Sequence, residues 1–363
     1  MATLKGLLRK LTLNQADLSG TGFSRAVEGA LFPKTNPAID GDDCLHDCEN
    51  CTIKYPAKFS IDETEHLFGE VKGWSRHLIV ATGKTDWVRD VADEKGSIME
   101  AISESKIRPN NGRMMLSASN IPVPENPEVE ASTKVLLLPS FVWIENVTPG
   151  NVPVLISHVV NTAPTNTTPL IHGEPPSLLD SSISTPFPSD LPLKISECPH
   201  NYLILLCSQK TRDARCGQSA PLLRREFERQ LRPLGLYRDL HDDRPGGVGV
   251  YFISHVGGHK FSANCMIYRR VGATGVQTRS KEEKKLPPKE NSEQDKRSSD
   301  DDDNDDEKSS EAIREAAQCI WLARVRPEDC ENIVRYTVLQ GKVVKPERQL
   351  RGGFDRSKQL VSW

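Results

Sequence analysis

Two cysteines and two histidines stand at matching places in the middle of the chain. The apolar run Leu203-Ile204-Leu205-Leu206 ends at Cys207, and the polar loop that follows closes on Cys216-Gly217. A second apolar run, Val248 to Ile253, ends at Ser254-His255, and Val-Gly-Gly separates His255 from His259. The pattern puts four soft donors on two loops, each just past the end of an expected strand. Two thiolates with two imidazoles suit zinc or an iron–sulfur cluster. Zinc fingers space their cysteines about two to four residues apart, whereas eight residues lie between Cys207 and Cys216. A loop that wide can wrap one iron of a two-iron cluster while the histidine pair holds the other. Two histidines on one iron is the Rieske composition. Rieske loops, however, each carry a Cys and a His, and here thiols and imidazoles are segregated. Structural zinc therefore stays open, as does the plain reading of each thiol as a small buried apolar group.

The run Cys207-x8-Cys216-Gly217, with Arg212-Asp213 and Arg215 inside it, is followed by His255-Val-Gly-Gly-His259-Lys-Phe-Ser-Ala-Asn264. Together these resemble the fungal sucrase/ferredoxin-like family, and the resemblance runs from about Cys44 to the C-terminus. It implies a thioredoxin-like ferredoxin whose second cysteine pair is replaced by two histidines. The implied cofactor is a non-Rieske [2Fe-2S] cluster held by Cys207, Cys216, His255 and His259. The implied function is electron transfer in cellular redox homeostasis, with a redox partner the sequence does not identify, and a carrier rather than a stand-alone enzyme. Arg212, Arg215 and Lys260 would stabilise the reduced cluster or meet an acidic partner, or are ordinary solvated charges. Two other classes remain: a thiol–disulfide oxidoreductase or redox quality-control factor, and a zinc-stabilised adaptor. No paired carboxylates suited to a glycosidase can be assigned.

Three further stretches carry chemistry. Cys44-x3-Cys48-x2-Cys51 packs three thiols into eight residues and is a possible second metal or redox site, with Cys48-x-x-Cys51 spaced for disulfide exchange. Gly83-Lys84-Thr85 mimics a phosphate-binding loop, but Leu78 stands where that motif needs its first glycine, so nucleotide binding is rejected. The chain ends Val361-Ser362-Trp363. In several cytosolic iron–sulfur proteins a similar terminus is read by the cytosolic cluster-assembly targeting complex, and the resemblance implies the same partner here. That argues for a cytoplasmic protein. The basic, leucine-spaced first fourteen residues, Met1 to Asn14, argue for the mitochondrial alternative or for a short packing helix.

The elements that must position these groups read as α/β (α+β) in two domains. Residues 1–40 are an N-terminal segment, and residues 41–160 an α/β domain carrying the cysteine cluster. It holds strands at His77–Ala81, in Lys134–Val147 and at Val154–Val159, with a helix over about Val88–Ser105. Ile-Ser-His-Val occurs at both 156–159 and 253–256, a thin hint of duplication. Residues 161–190 are a Pro/Ser-rich linker. Residues 191–345 are the thioredoxin-like domain: strands at Tyr202–Leu206, Val248–Ile253, Ala263–Tyr268 and Cys319–Val325, and a helix over Ala220–Leu234. A second helix opens at Pro327 and stops at Gly341. Residues 272–310, with their run of aspartates, are an acidic insertion too polar to order itself. Residues 346–363 are a tail.

Composition sets limits. The 363 residues carry a net charge of -3 with 27% charged residues, and no basic stripe with interleaved aromatics suggests nucleic acid. No apolar run reaches the ~18 residues of a membrane span, and no secretory leader is recognised. Nine unevenly spaced cysteines suggest metal or redox work in a reducing compartment rather than a disulfide framework.

Overall fold

The computed structural model describes residues 20–125, 129–170, 193–273 and 315–363. Thirteen strands among them join in one mixed sheet. After the short β1 (Ser24–Arg25), the chain builds a first unit: β2 (Arg76–Ala81), α1 (Ile98–Glu104), β3 (Met114–Ser119), β4 (Thr133–Leu138), β5 (Val142–Val147) and α2. Helix α2 runs through Val152–Val154 and continues as a wider, π-type turn over Leu155–Val160. Then β6 (Lys194–Glu197) pairs with β5. The second unit follows: β7 (Tyr202–Cys207), α3 (Ala214–Leu231), the two-residue β8 (Tyr237–Arg238), β9 (Val248–Ile253), β10 (Cys265–Arg270) and β11 (Ala316–Leu322). It closes with α4, formed by Cys330–Asn332 and Ile333–Val338. Last come β12 (Leu350–Asp355) and β13 (Leu360–Val361).

Both units repeat one topology. In each, the first two strands are parallel and joined by a helix, the third strand lies antiparallel to the first, and the fourth antiparallel to the third. The spatial orders are β3-β2-β4-β5 and β9-β7-β10-β11. The units meet where β3 and β9 pair antiparallel at Ser119 and Ile253. Side chains strengthen this seam: Ser119 Oγ donates to Phe252 O at 2.7 Å and the Phe252 amide donates to Asn120 Oδ1 at 2.7 Å. The sheet is therefore continuous from residues assigned to one expected domain into those assigned to the other. The shared Ile-Ser-His-Val does not relate the units, because it falls on α2 in the first and on a strand end in the second.

Why these runs become strands is visible in their faces. Every residue of β7 and of β2 is buried, as expected for central strands covered on both sides. In β7, Tyr202, Ile204 and Leu206 face the helices of the second unit, while Leu203 and Leu205 face the opposite core. In β2, Leu78 and Val80 face the helices of the first unit, while Ile79 and Ala81 join that same opposite core. One hydrophobic layer, containing Trp74, Trp321, Phe354 and Trp363, thus runs under both units.

Several expectations are corrected. Val154–Val159 is helical, not a strand. Thr148 and Asn151 cap its approach reciprocally, and Leu155, Ile156, Val159 and Val160 are buried while His158 is exposed. The buried positions recur four residues apart, a helical spacing, while Ile156, Val159 and Val160 are β-branched and their composition imitates a strand. The helix expected over Val88–Ser105 shrinks to Ile98–Glu104, capped by Ser97, because Gly96 adopts a positive φ of 74° just before it. Helix α3 starts at Ala214 rather than Ala220, since the Asp213 side chain caps it by accepting the Arg215 amide; Pro221 lies inside. Residues 346–363 form a helical turn and two strands of the sheet. Of the linker, Asn166 is buried and donates to Trp74 O. Residues 1–19, 171–192 and 274–314 lie outside the described residues, and with them the N-terminal helix, most of the linker and the aspartate run.

Candidate metal centre

Cys207 is the last residue of β7, Cys216 sits in the first turn of α3, and His255 follows β9 by two residues. The parallel pairing of β7 with β9 sets Cys207 beside Ile253, which brings the two loops to one edge of the sheet. The Cys207 and Cys216 sulfurs are 3.4 Å apart, and His255 Nδ1 lies 3.8 Å from Cys207 Sγ. All three donor atoms fall within 4.8 Å of one another, and among the described residues they form the one group of three or more able to hold a metal ion. His259 opens the short turn His259–Phe261 on the same loop; its side chain lies outside what is described.

Both cysteines are buried and His255 is half-buried. The two sulfurs behave as a pair. The sulfur–sulfur contact with Cys216 holds the Cys207 thiol well below its ordinary range, against burial, while that same contact and burial push Cys216 up. A thiolate on Cys207 is the form a metal needs. Cys216 at the start of α3 also lies where the helix dipole favours negative charge.

Neighbouring groups hold the loops in place. Gln209 Oε1 accepts the His255 amide at 2.8 Å and so ties the thiol loop to the imidazole loop. Residues 82–87, the imitation phosphate loop, buttress the thiol loop. Ser208 Oγ donates to Thr85 O at 2.8 Å, and Thr211 gives its amide and hydroxyl to the Asp86 carboxylate at 3.0 and 2.7 Å. Gly217 is needed for close approach, since a Cβ there would stand 2.5 Å from Lys210 Cβ. Of the three expected cations, Arg215 pairs with Asp213 and Lys260 with Glu65 at the site's rim, while Arg212 donates to Arg89 O.

Arg351 fixes the imidazole loop, and sequence reasoning missed it. Its guanidinium donates to Gly257 O at 2.9 Å, to Asn264 Oδ1 at 3.0 Å and twice to Glu70 O. It lies over the Trp321 ring, 4.3 Å from the centroid. Burial lowers its pKa to about 10, so it stays charged at neutral pH. Asn264 is the other missed hub: its Oδ1 also accepts Trp321 Nε1–H, and its carbonyl accepts the Cys207 amide. Asn264 stood inside the quoted motif, but Arg351 lay in an apparently polar tail with no periodicity to mark it. Gly257 and Gly258 have positive φ of 87° and 66°, and a Cβ on Gly258 would meet the Arg351 guanidinium carbon at 2.3 Å. Gly258→Ala is therefore expected to cost about 1–3 kcal/mol in denaturant unfolding and to displace Arg351. An unchanged unfolding midpoint would refute that constraint.

A cavity of about 530 Å3 opens beside this loop, lined by His255 and Lys260 together with Lys72, Arg113 and Arg351. The other expected site residues lie apart. Cys44 is buried, while Cys48 and Cys51 are half-buried, and the three form no metal-holding group. Val361 and Ser362 are fully buried and Trp363 is 5% exposed. Gly73 makes room for the Trp363 ring, which packs on Trp74 with centroids 4.5 Å apart; Trp74 in turn meets Trp321.

The chain is a member of the sucrase/ferredoxin-like family, whose sequence profile matches residues 67–352. It is 28% identical over 285 residues to Actin patches distal protein 1 of Saccharomyces cerevisiae, covering 74% of this chain and 85% of that protein. It is 24% identical over 308 residues to Altered inheritance of mitochondria protein 32 of Clavispora lusitaniae, covering 82% of this chain and 89% of that protein. No solved structure matches the chain significantly. No helix among the described residues is long and apolar enough to cross a membrane.

Proposed function

We propose that the chain is an electron carrier that holds a [2Fe-2S] cluster on Cys207, Cys216, His255 and His259 and serves cellular redox homeostasis. The observation that carries this reading is the convergence of two sulfurs and an imidazole nitrogen within 4.8 Å at the carboxyl edge of β7 and β9. Open α/β sheets place their ligands at that edge. The donor types fit: thiolate and imidazole both suit iron, and Cys207 already favours its thiolate. Bound there, the cluster would supply a one-electron couple, made easier to reduce by having two thiolates fewer than a four-cysteine site.

The chain's own residues then do three things. Gln209 and Arg351 hold the imidazole loop against the thiol loop. The buried Arg351 charge offsets negative charge gained on reduction. Lys72, Arg113 and Lys260 beside the cavity give an acidic redox partner a face to approach. The C-terminal tripeptide belongs to the same proposal. With Trp363 buried, the cluster-assembly targeting complex would read Val361-Ser362-Trp363 before the last strand docks, which fits assembly in the cytoplasm.

A single tetrahedral zinc ion is the second reading, favoured by the tight spread of the three donors. One preparation separates the two. Anaerobically purified protein is expected to hold about two irons and two labile sulfides per chain. Dithionite reduction should give an EPR signal of low average g that moves toward the all-cysteine value in His255→Cys and His259→Cys. Cys207→Ser should hold neither iron nor sulfide. A colourless, EPR-silent protein with one zinc would overturn the cluster.

A further inference from the structure

We propose that Cys48 and Cys51 form a second redox centre, a dithiol–disulfide couple that exchanges with the disulfide of an anionic small thiol of the glutathione type. It stands whether or not the metal site holds a cluster. The Cys51 amide donates to Cys48 O at 3.3 Å, so the two residues close a single turn. Such a turn keeps the two Cα atoms within about 7 Å, which is the range a disulfide spans. Both thiols are half-exposed, unlike the other cysteines, all of which are buried.

Their hydrogen bonds are asymmetric. Cys48 Sγ accepts from Arg229 Nη2 at 3.3 Å and from Gln230 Nε2 at 3.6 Å. Cys51 Sγ instead donates to Ile53 O at 3.4 Å. Of the two, Cys48 is the sulfur with donors to receive charge as it attacks, and Cys51 is the resolving thiol, its proton held on Ile53 O. Burial pushes both thiols above their ordinary range, and Glu331 adds to this at Cys48 while Arg229 works against it. Both thiols are therefore protonated at neutral pH, and exchange should quicken as pH rises.

Cys48 and Cys51 line a cavity of about 480 Å3 with Tyr55, Pro56 and Phe59. Ile53 and Lys54 are shared with a neighbouring groove lined by Lys54, Arg225, Glu228, Arg229 and Arg232; Arg229 pairs with Glu226 and Arg232 with Glu228, which leaves Lys54 and Arg225 outside those pairs. That excess of cations suits the carboxylates of a glutathione-type disulfide. Arg229 and Gln230 belong to α3, near the opposite end from Cys216. Fourteen residues of helix put the two sites roughly 21 Å apart, so the thiol chemistry is separate from the metal centre.

The exchange balances without another reactant. Cys48 loses its proton and attacks one sulfur of the small disulfide; that S–S bond breaks, and one small thiol leaves, taking up a proton. Cys51 then attacks the Cys48 sulfur of the mixed disulfide, and the second small thiol leaves protonated. Two electrons have passed from the protein to the disulfide, leaving a Cys48–Cys51 bond.

The test uses the full chain in glutathione redox buffers, quenched with acid, alkylated and mapped by peptide mass spectrometry. The expected result is loss of two alkylatable thiols, confined to Cys48 and Cys51, with a midpoint independent of protein concentration. Cys51→Ser should trap a glutathione adduct on Cys48, and Cys48→Ser should form neither adduct nor bond. Arg225→Glu should slow reaction with glutathione disulfide ~10-fold while leaving neutral hydroxyethyl disulfide unaffected. If Cys48 and Cys51 stay alkylatable in wild-type protein, or if Cys48 pairs with Cys44, the couple is refuted. If Arg225→Glu slows neither disulfide or slows both equally, the anionic substrate class is refuted.

Discussion

Trp363→Ala is expected to lower unfolding free energy by about 3–5 kcal/mol, the range for emptying a buried tryptophan site. The ring is 5% exposed, stacks on Trp74 and fills the space that Gly73 leaves open. The strand that carries it is laced into the sheet. The Ser362 amide donates to Gly353 O and the Ala26 amide to Val361 O, at 3.0 and 2.7 Å, and the Gly353 amide donates to Ser362 Oγ. The effect should reach the candidate metal centre. Trp363 touches Trp74, Trp74 touches Trp321, and Trp321 lies under the Arg351 guanidinium that holds Gly257 O. Amide hydrogen exchange should therefore rise in residues 256–260 as well as in 359–363. A loss of stability below about 0.5 kcal/mol, the usual scatter of surface substitutions, would refute the burial. Faster exchange limited to the last strand would refute the coupling.

Arg351→Met is the second large effect. Methionine keeps much of the length and the apolar contact with Trp321 but removes every donor. Gly257 O, half-buried, and Glu70 O, on an exposed residue, lose a partner, and the buried Asn264 Oδ1 keeps only Trp321 Nε1–H. An orphaned buried acceptor costs about 1–3 kcal/mol, and with water able to reach the exposed Glu70 a total loss of about 1–3 kcal/mol is expected. The imidazole loop should lose its register with the thiol loop, and metal content should fall further than global stability alone would explain. Arg351→Lys should sit between, because one ammonium cannot span the carbonyl groups that the planar fork reaches. Full metal content in Arg351→Met, measured on protein still folded by circular dichroism, would show that the loop holds itself.

Much of this site was legible in the sequence, because its donors close continuous apolar runs. Cys207 and His255 had to lie near each other once β7 and β9 were read as neighbouring strands, and the glycines between the histidines marked a bend. Cys216 was read as a loop residue because its helix begins with polar residues. The Asp213 cap that starts it leaves no hydrophobic signature, only a residue type that is as common in turns.

What the sequence by itself determined is local: the α/β class, most strand positions, the four candidate donors and the Cys48-x-x-Cys51 pair. Each depends on a period or spacing within a few residues of chain. What only the tertiary structure decided is which distant segments share a surface. It made one sheet out of two expected domains by pairing Ser119 with Ile253. It turned an imitation phosphate loop into the buttress of the thiol loop, and it drew an apparent tail into the sheet, where Arg351 grips the imidazole loop and Trp363 is buried. Those placements follow from burying Trp74, Trp321 and Trp363 in one layer and from satisfying the donors of a buried guanidinium. Both requirements act between residues far apart along the chain, and no period or spacing in the sequence records them.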